Sequence, residues 1–335
     1  MSESQIYLPR LEQAPIWQPD LSSWQCQGQA MGMTWRVLWR GGETALAQSL
    51  QQQFEAQLAL VEQQMSHWNP ASDLMRFNRA EPGWHALPAE LMQLLARARF
   101  IAQQSSGCFN PCLGELVQLW GFGPGSRYRQ AGWQAPALAA IQAALASTDW
   151  RQLQLDVANL RAYQAGGLQL DLSGIAKGYA VDLLSEQLEQ AGINDYLVEF
   201  GGELRGAGLR ADQQPWWIEI ELPENLAGIL PRQILGLVGL AVASSGEQQQ
   251  FFEHQGQRYS HTLDGRHGYP LDGSVSCVSV LHANCTDADA WASALYVLGS
   301  QRGMELARQE GLAVLMITAA GELSLSPALQ DMLHD

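Results

Sequence analysis

The chain has 335 residues, 47% hydrophobic and 16% charged, a balance that permits one large core or two smaller ones and excludes a disordered protein. Its formal net charge of −15, with 19 Lys plus Arg against 34 Asp plus Glu, excludes the basic stripe that tracks nucleic-acid phosphates. So acidic a protein would also repel a nucleotide pyrophosphate unless a divalent cation or local cations intervened, which makes a metal site an expectation.

The five cysteines, Cys26, Cys108, Cys112, Cys277 and Cys285, are odd in number and lack paired C-x-x-C spacing, which favours neither a disulfide framework nor a zinc site. The opening "MSESQIYLPRLEQAPIWQPD" has no basic n-region and no apolar h-region, and no apolar run reaches the length of a membrane span. The expectation is a cytoplasmic protein without a transmembrane segment, or a periplasmic or membrane-anchored one if an export signal has been removed.

In chain order, residues 1–24, rich in Pro, Gln and Ser, read as an N-terminal arm, and residues 25–335 as one folded unit without linker or repeat. "QGQAMGMTWRVLW" reads as a half-buried strand, because Met31, Met33, Trp35, Val37 and Trp39 alternate with smaller or polar residues. The spacing of Leu50, Phe54, Leu58 and Val61 predicts a helix in "ETALAQSLQQQFEAQLALVEQQMS". A second helix, "PAELMQLLARARFIAQQSSG", begins on proline and ends at Gly107, and "PALAAIQAALAST" is a third. "LQLDL" through "AKGYAVDLLSEQLEQAG" predicts strand, turn and helix.

Strand-like runs then dominate: "YLVEFGGELRGAG", "WWIEIEL", "LGLVGLAVASSG", "RYSHTLDG" and "VSCVSVLHAN". One late helix, "DADAWASALYVLGSQRGMELARQEG", precedes the final strands. Helices early and strands late favour an α+β fold of mixed or antiparallel sheets with packed helices.

Four stretches could carry chemistry. In "LQLDLSGIAKGYAVD" a tight turn feeds a helix, which favours an anion at free backbone N–H groups, and Lys177 would add a charge. The lysine precedes Gly178, so the stretch is not the G-x-x-x-x-G-K-[ST] phosphate loop, and plain architecture is a competing reason for such a turn. In "CTDADAWASALYVLG" Asp287 and Asp289 stand just ahead of a helix, with Ser293 four residues beyond Asp289 on the same face. That carboxylate and hydroxyl could serve a magnesium ion, although aspartates near a helix start are as often caps. "YSHTLDGRHGYPLDG" offers His261, Asp264 and His267 in a Gly-rich turn, and in "EFGGELRGAG" the backbone at Gly201 and Gly202 must pass close to something.

Taken in order, "MGMTW", "MSHWNPASDLMRFN", "GCFNPCLGELVQLWGF", "DLSGIAKGYAVD", "FGGELRGAG", "VASSGE", "HTLDGRHGYP" and "DADAWASALYVLG" resemble the FAD:protein FMN transferase (ApbE) family. The resemblance implies Mg²⁺-dependent transfer of FMN from the substrate FAD to a threonine or serine hydroxyl of an acceptor flavoprotein, with release of AMP. It puts the metal ligands on the backbone of Gly174 and on Asp289 and Ser293, where threonine is commoner. FAD contacts fall on Met31, on Trp68 where tyrosine is usual, on Cys108, Phe109 and Asn110, on Asp171 and Lys177, and on Thr262. The activity-associated histidine falls on His261, which with Lys177 forms the implied catalytic pair. The family's usual F-D-P-T stands here as Phe109, Asn110, Pro111, Cys112. An FAD pyrophosphatase giving FMN and AMP, or a flavin-binding protein without turnover, would use the same residues.

Overall fold

The computed structural model describes residues 4–11, 14–124, 127–130, 132–246, 251–254 and 257–334. Residues 1–3, 12 and 13 of the expected arm, and Glu247 of "VASSGE", lie outside these.

The frame is an eight-stranded sheet: β1 (Ser23–Ala30), β2 (Met33–Arg40), β3 (Asp195–Phe200), β4 (Glu203–Ala207), β5 (Leu240–Gly246), β6 (Val275–His282), β7 (Ala313–Thr318) and β8 (Leu323–Leu325). Spatial order equals chain order and every neighbouring pair is antiparallel, so the sheet is a meander interrupted by long excursions. The largest excursion joins β2 to β3 and carries helices α1 (Thr44–Met65), α2 (Ala89–Gln104) and α3 (Ala176–Gln190). Between β6 and β7 lie α4 (Cys285–Leu298) and α5 (Ser300–Gln309).

Both faces of the central strands are buried, so β3, β6 and β7 read as apolar runs, whereas β1 and β2 at the edge keep an exposed face and alternate. Tyr196, Val198 and Phe200 of β3 point into the core shared with the helices, together with Leu50, Phe54, Leu58 and Val61 of α1. Leu197, and Leu315 and Ile317 of β7, point the opposite way into a second core. That core is closed by a four-stranded mixed sheet ordered Leu333–His334, Ser4–Tyr7, Arg232–Leu237, Trp216–Glu219. Ser4–Tyr7, inside the stretch read as an arm, thus forms a strand parallel to Arg232–Leu237, with Tyr7 buried. The architecture is the α+β arrangement of mixed and antiparallel sheets with packed helices that the sequence predicts. Among the described residues no helix is long and apolar enough to cross a membrane.

Four local expectations are corrected. "QGQAMGMTWRVLW" is not one strand: the chain reverses at Met31 (φ 49°) and Gly32 (φ 73°), making β1 and β2 a hairpin. Two successive left-handed residues suit the twist of a two-residue hairpin, and Met at the first position carries no turn signal. "LGLVGLAVASSG" divides between the two sheets, into Arg232–Leu237 and β5. The late helix breaks at Gly299 into α4 and α5. "LQLDL" has the alternation of a strand, with Leu168, Leu170 and Leu172 buried, yet joins no sheet. The Asn78 side chain brackets Leu170, accepting from its N–H at 2.8 Å and donating to its carbonyl at 2.9 Å, while Asp171 N–H donates to the Pro111 carbonyl. Periodicity reported which side chains are buried, not what the backbone bonds to.

Candidate active site

Helices α3 and α4 meet at their N-termini. A Cβ on Gly178, in the first turn of α3, would lie 2.2 Å from the Cys285 carbonyl oxygen, so only glycine permits this approach. The contact lets two carboxylates cross between the helices. Asp289 of α4 accepts from Gly178 N–H of α3 at 3.0 Å, and Asp182 of α3 accepts from Cys285 and Thr286 N–H of α4 at 2.9 and 2.8 Å.

This arrangement occupies most of the backbone N–H groups on which the anion reading of the turn draws. In the turn from Ser173 to Gly178, the Ser173 N–H is taken by Asp171 Oδ1, those of Ile175 and Ala176 by the Leu172 carbonyl, and that of Gly178 by Asp289. A helix start whose donors are occupied has little left for a phosphate. Nor do the α4 aspartates precede their helix, which starts at Cys285. Asp287 faces away, held by both Arg97 Nε at 2.5 Å and Nη2 at 2.9 Å.

The three expected metal ligands do come together. A Cβ on Gly174 would sit 2.9 Å from Ser293 Oγ and 3.5 Å from the Phe109 ring, so glycine leaves open the space between this turn and Ser293. Ser245 Oγ lies 3.4 Å from Ser293 Oγ, which adds a hydroxyl from β5. Asp289, 3% exposed, is one helical turn from Ser293. Among the described residues no three of His, Cys, Asp and Glu are placed to hold a metal ion; the donors here are one carboxylate and two hydroxyls. Such hard oxygen donors fit a magnesium ion that keeps waters and phosphate oxygens as its other ligands.

Lys177 lies beside this group, and its ammonium donates to Glu203 Oε1. Glu203, 1% exposed, begins β4 and also accepts from Ser244 N–H at 3.2 Å. Burial alone would depress the lysine, but the Glu203 and Asp289 carboxylates outweigh it and hold the ammonium above the ordinary lysine range. Burial pushes the Asp289 carboxyl up, against the pull of Lys177 and the Gly178 N–H. What the backbone at Gly201 passes close to is the Met33 sulfur and the Lys177 stem, which a Cβ there would approach to 2.6 and 3.5 Å.

The flavin-side residues divide. Trp68, 51% exposed, lines a cleft of about 440 Å³ with His67, Met75, Gln118 and Arg127. His67 packs against Trp68 with ring centroids 5.2 Å apart and planes tilted by 42°, and joins the cleft to the turn, its Nδ1 lying 3.3 Å from Ser173 Oγ and 3.9 Å from Asp171 Oδ2. Cys108, Phe109 and Asn110 are buried, with the Phe109 ring against the turn at Gly174. Asn110 donates to the Thr148 carbonyl at 2.9 Å and accepts from Cys112 N–H at 2.9 Å. An aspartate could not make the first of these bonds. Cys112 is wholly buried in the helix-side core, and burial holds its thiol protonated, so it packs as a small apolar group.

Thr262 and half-buried His261 precede a turn that packs on this region, since a Cβ on Gly265 would reach Leu113 at 2.6 Å and Asn110 Nδ2 at 3.1 Å. Met31, at the β1–β2 turn, packs partly buried against the helix-side core. Sequence reasoning missed His67, Arg127, Asp182 and Glu203. Only His67, adjacent to Trp68, and Glu203, adjacent to the glycine pair, carried any signal.

The fold and site define one α+β catalytic unit in which a carboxylate, hydroxyls and an ion-paired lysine lie together, with an aromatic cleft joined to their turn through His67. The model of the ApbE family matches residues 31–316, and the chain belongs to that family. It is 36% identical to the FAD:protein FMN transferase of Salmonella typhimurium over 88% of this chain and 84% of that protein. It is 32% identical to the FAD:protein FMN transferase of Escherichia coli K12, with the same coverage of each. Among solved structures, the apo flavinyl transferase ApbE of Pseudomonas stutzeri superposes with a TM-score of 0.84 at 33% identity, covering 95% of this chain and 98% of that one.

Proposed function

We propose that the protein moves the FMN half of FAD onto a threonine or serine hydroxyl of a partner flavoprotein. The acceptor oxygen bonds to the phosphorus of the FMN phosphate, the bond from that phosphorus to the AMP oxygen breaks, and AMP leaves with the electron pair. The acceptor proton passes to a base, for which His261 is the candidate, half-buried before the turn that packs on Asn110. What carries the reading is the convergence of Asp289, Ser293 and Gly174 beside Lys177 in a chain of this family.

The Asp289 carboxylate, the Ser293 hydroxyl and the Gly174 carbonyl would hold Mg²⁺. When bound, that ion supplies charge neutralisation at the pyrophosphate oxygens. Lys177 gives one of its three N–H donors to Glu203, leaving two to bind phosphate oxygens and orient them. Trp68 offers a face on which an FAD ring stacks, with Met31, Cys108, Phe109, Asn110, Asp171 and Thr262 as further contacts. Positioning and charge neutralisation then supply most of the rate, as in phosphoryl transfer generally.

The test is incubation with FAD, Mg²⁺ and a candidate acceptor, read as in-gel flavin fluorescence with AMP release. Fluorescence on the acceptor is the expected result; free FMN would mean a hydrolase, and neither product a binding protein. Asp289→Asn, which keeps an acceptor for the Gly178 N–H, should lose transfer while remaining folded.

A further inference from the structure

Lys177, Glu203 and Asp289 are enclosed together, one ammonium facing two carboxylates. The pairing is unequal. Lys177 makes its ion pair with Glu203, whereas Asp289 acts on the ammonium only through space and spends an oxygen on the Gly178 N–H. Yet Lys177 immediately precedes Gly178, so its flexible stem starts beside the residue that Asp289 already touches. Glu203 is held by Ser244 N–H on β5 and delivered by the Gly201–Gly202 turn, whose first residue lies against the lysine stem.

An ammonium within ion-pair distance of a carboxylate neutralises it and competes with any cation for the same oxygens. We propose that Glu203 is a positioning residue that holds the Lys177 ammonium off Asp289 and so leaves the Asp289 carboxylate available to a divalent cation. The inference rests on the metal reading given under Proposed function. With Glu203 ionised the three groups sum to one negative charge, and a cation enters a site of opposite sign. With Glu203 neutralised, Lys177 has Asp289 as its remaining carboxylate partner, and the site offers the cation no net attraction.

The test uses Mn²⁺ alone at about pH 8, above the value to which Glu203 is raised, with its free concentration followed by electron paramagnetic resonance on the full chain without FAD or acceptor. Glu203→Gln should weaken Mn²⁺ binding by about tenfold or more, a size set by losing one close charge interaction. The double variant Glu203→Gln/Lys177→Met removes the competing ammonium and should recover affinity to within about threefold of wild type, a coupling that independent losses would not produce. Glu203→Asp keeps a carboxylate at that position and should also bind Mn²⁺ within about threefold of wild type. The proposal is overturned by unchanged binding in Glu203→Gln, by a double variant no tighter than Glu203→Gln, or by a loss in Glu203→Asp as large as in Glu203→Gln. Wild type that takes up no Mn²⁺ would sink the metal reading itself, an outcome distinct from wild type and Glu203→Gln binding alike.

Discussion

Asp182 and Asp289 each accept first-turn N–H groups of the helix that carries the other. Two helix N-termini, each the positive end of a dipole, are thereby brought together and neutralised by carboxylates rather than left open to an anion. Asp182 also accepts from Thr286 Oγ1 at 2.6 Å and pairs with Arg205 at 3.1 Å. Asp182→Ala, leaving two buried N–H groups unsatisfied, should destabilise the protein by about 2–4 kcal/mol, and Asp182→Asn, which keeps one acceptor, by roughly half as much. Urea unfolding measures both; equal stabilities for wild type and Asp182→Ala would remove the capping role.

Trp68 is half exposed in the cleft, so its loss should leave the fold intact and act on the ligand. Trp68→Ala should raise the Kd for FAD about tenfold or more, since a stacked aromatic ring contributes about 1–3 kcal/mol per base. The melting temperature should not move. Calorimetry returning the wild-type Kd would take Trp68 out of the binding site.

Burial pushes Glu203 up to about 7, against the pull of Lys177, from an ordinary value of 4.5. The folded protein therefore keeps a proton that the unfolded chain releases within that window. The associated stability is complete below about 4.5 and is lost as pH rises through about 7. Wild type should lose stability relative to Glu203→Gln between these limits, as denaturant unfolding at several pH values would report. A constant difference across the window would contradict the assignment.

Cys112, where the family more often has threonine, is sealed in the core and is not among the residues lining the cleft. Cys112→Ser should destabilise by about 1–3 kcal/mol through burial of a hydroxyl, with kcat and the KM for FAD within about twofold of wild type. A large fall in kcat at unchanged stability would show that position 112 handles substrate after all.

Much of the frame was legible in local pattern. The period of Leu50, Phe54, Leu58 and Val61 marked the buried stripe of α1, and the four-residue step from Asp289 to Ser293 put both oxygens on one helix face. Where a single residue turned the chain, the pattern stayed silent. Met31 carries no turn preference, and Gly299 ends one helix inside a run that reads as a single helix.

What the sequence by itself determined was which side chains are buried and which polar groups stand in step along one element, because both follow from backbone period. Only the tertiary structure decided which polar group meets which. Lys177 finds Glu203 across 26 positions and Asp182 finds Cys285 across 103, because two separate excursions of one meander bring α3 and α4 together against β4. A buried donor takes whichever acceptor the packing brings within 3 Å or so, and no spacing within one segment encodes that choice. For the same reason "DLSGIAKGYAVD" looked like an open anion turn: Asp289, the acceptor that closes it, lies 111 residues away from Gly178.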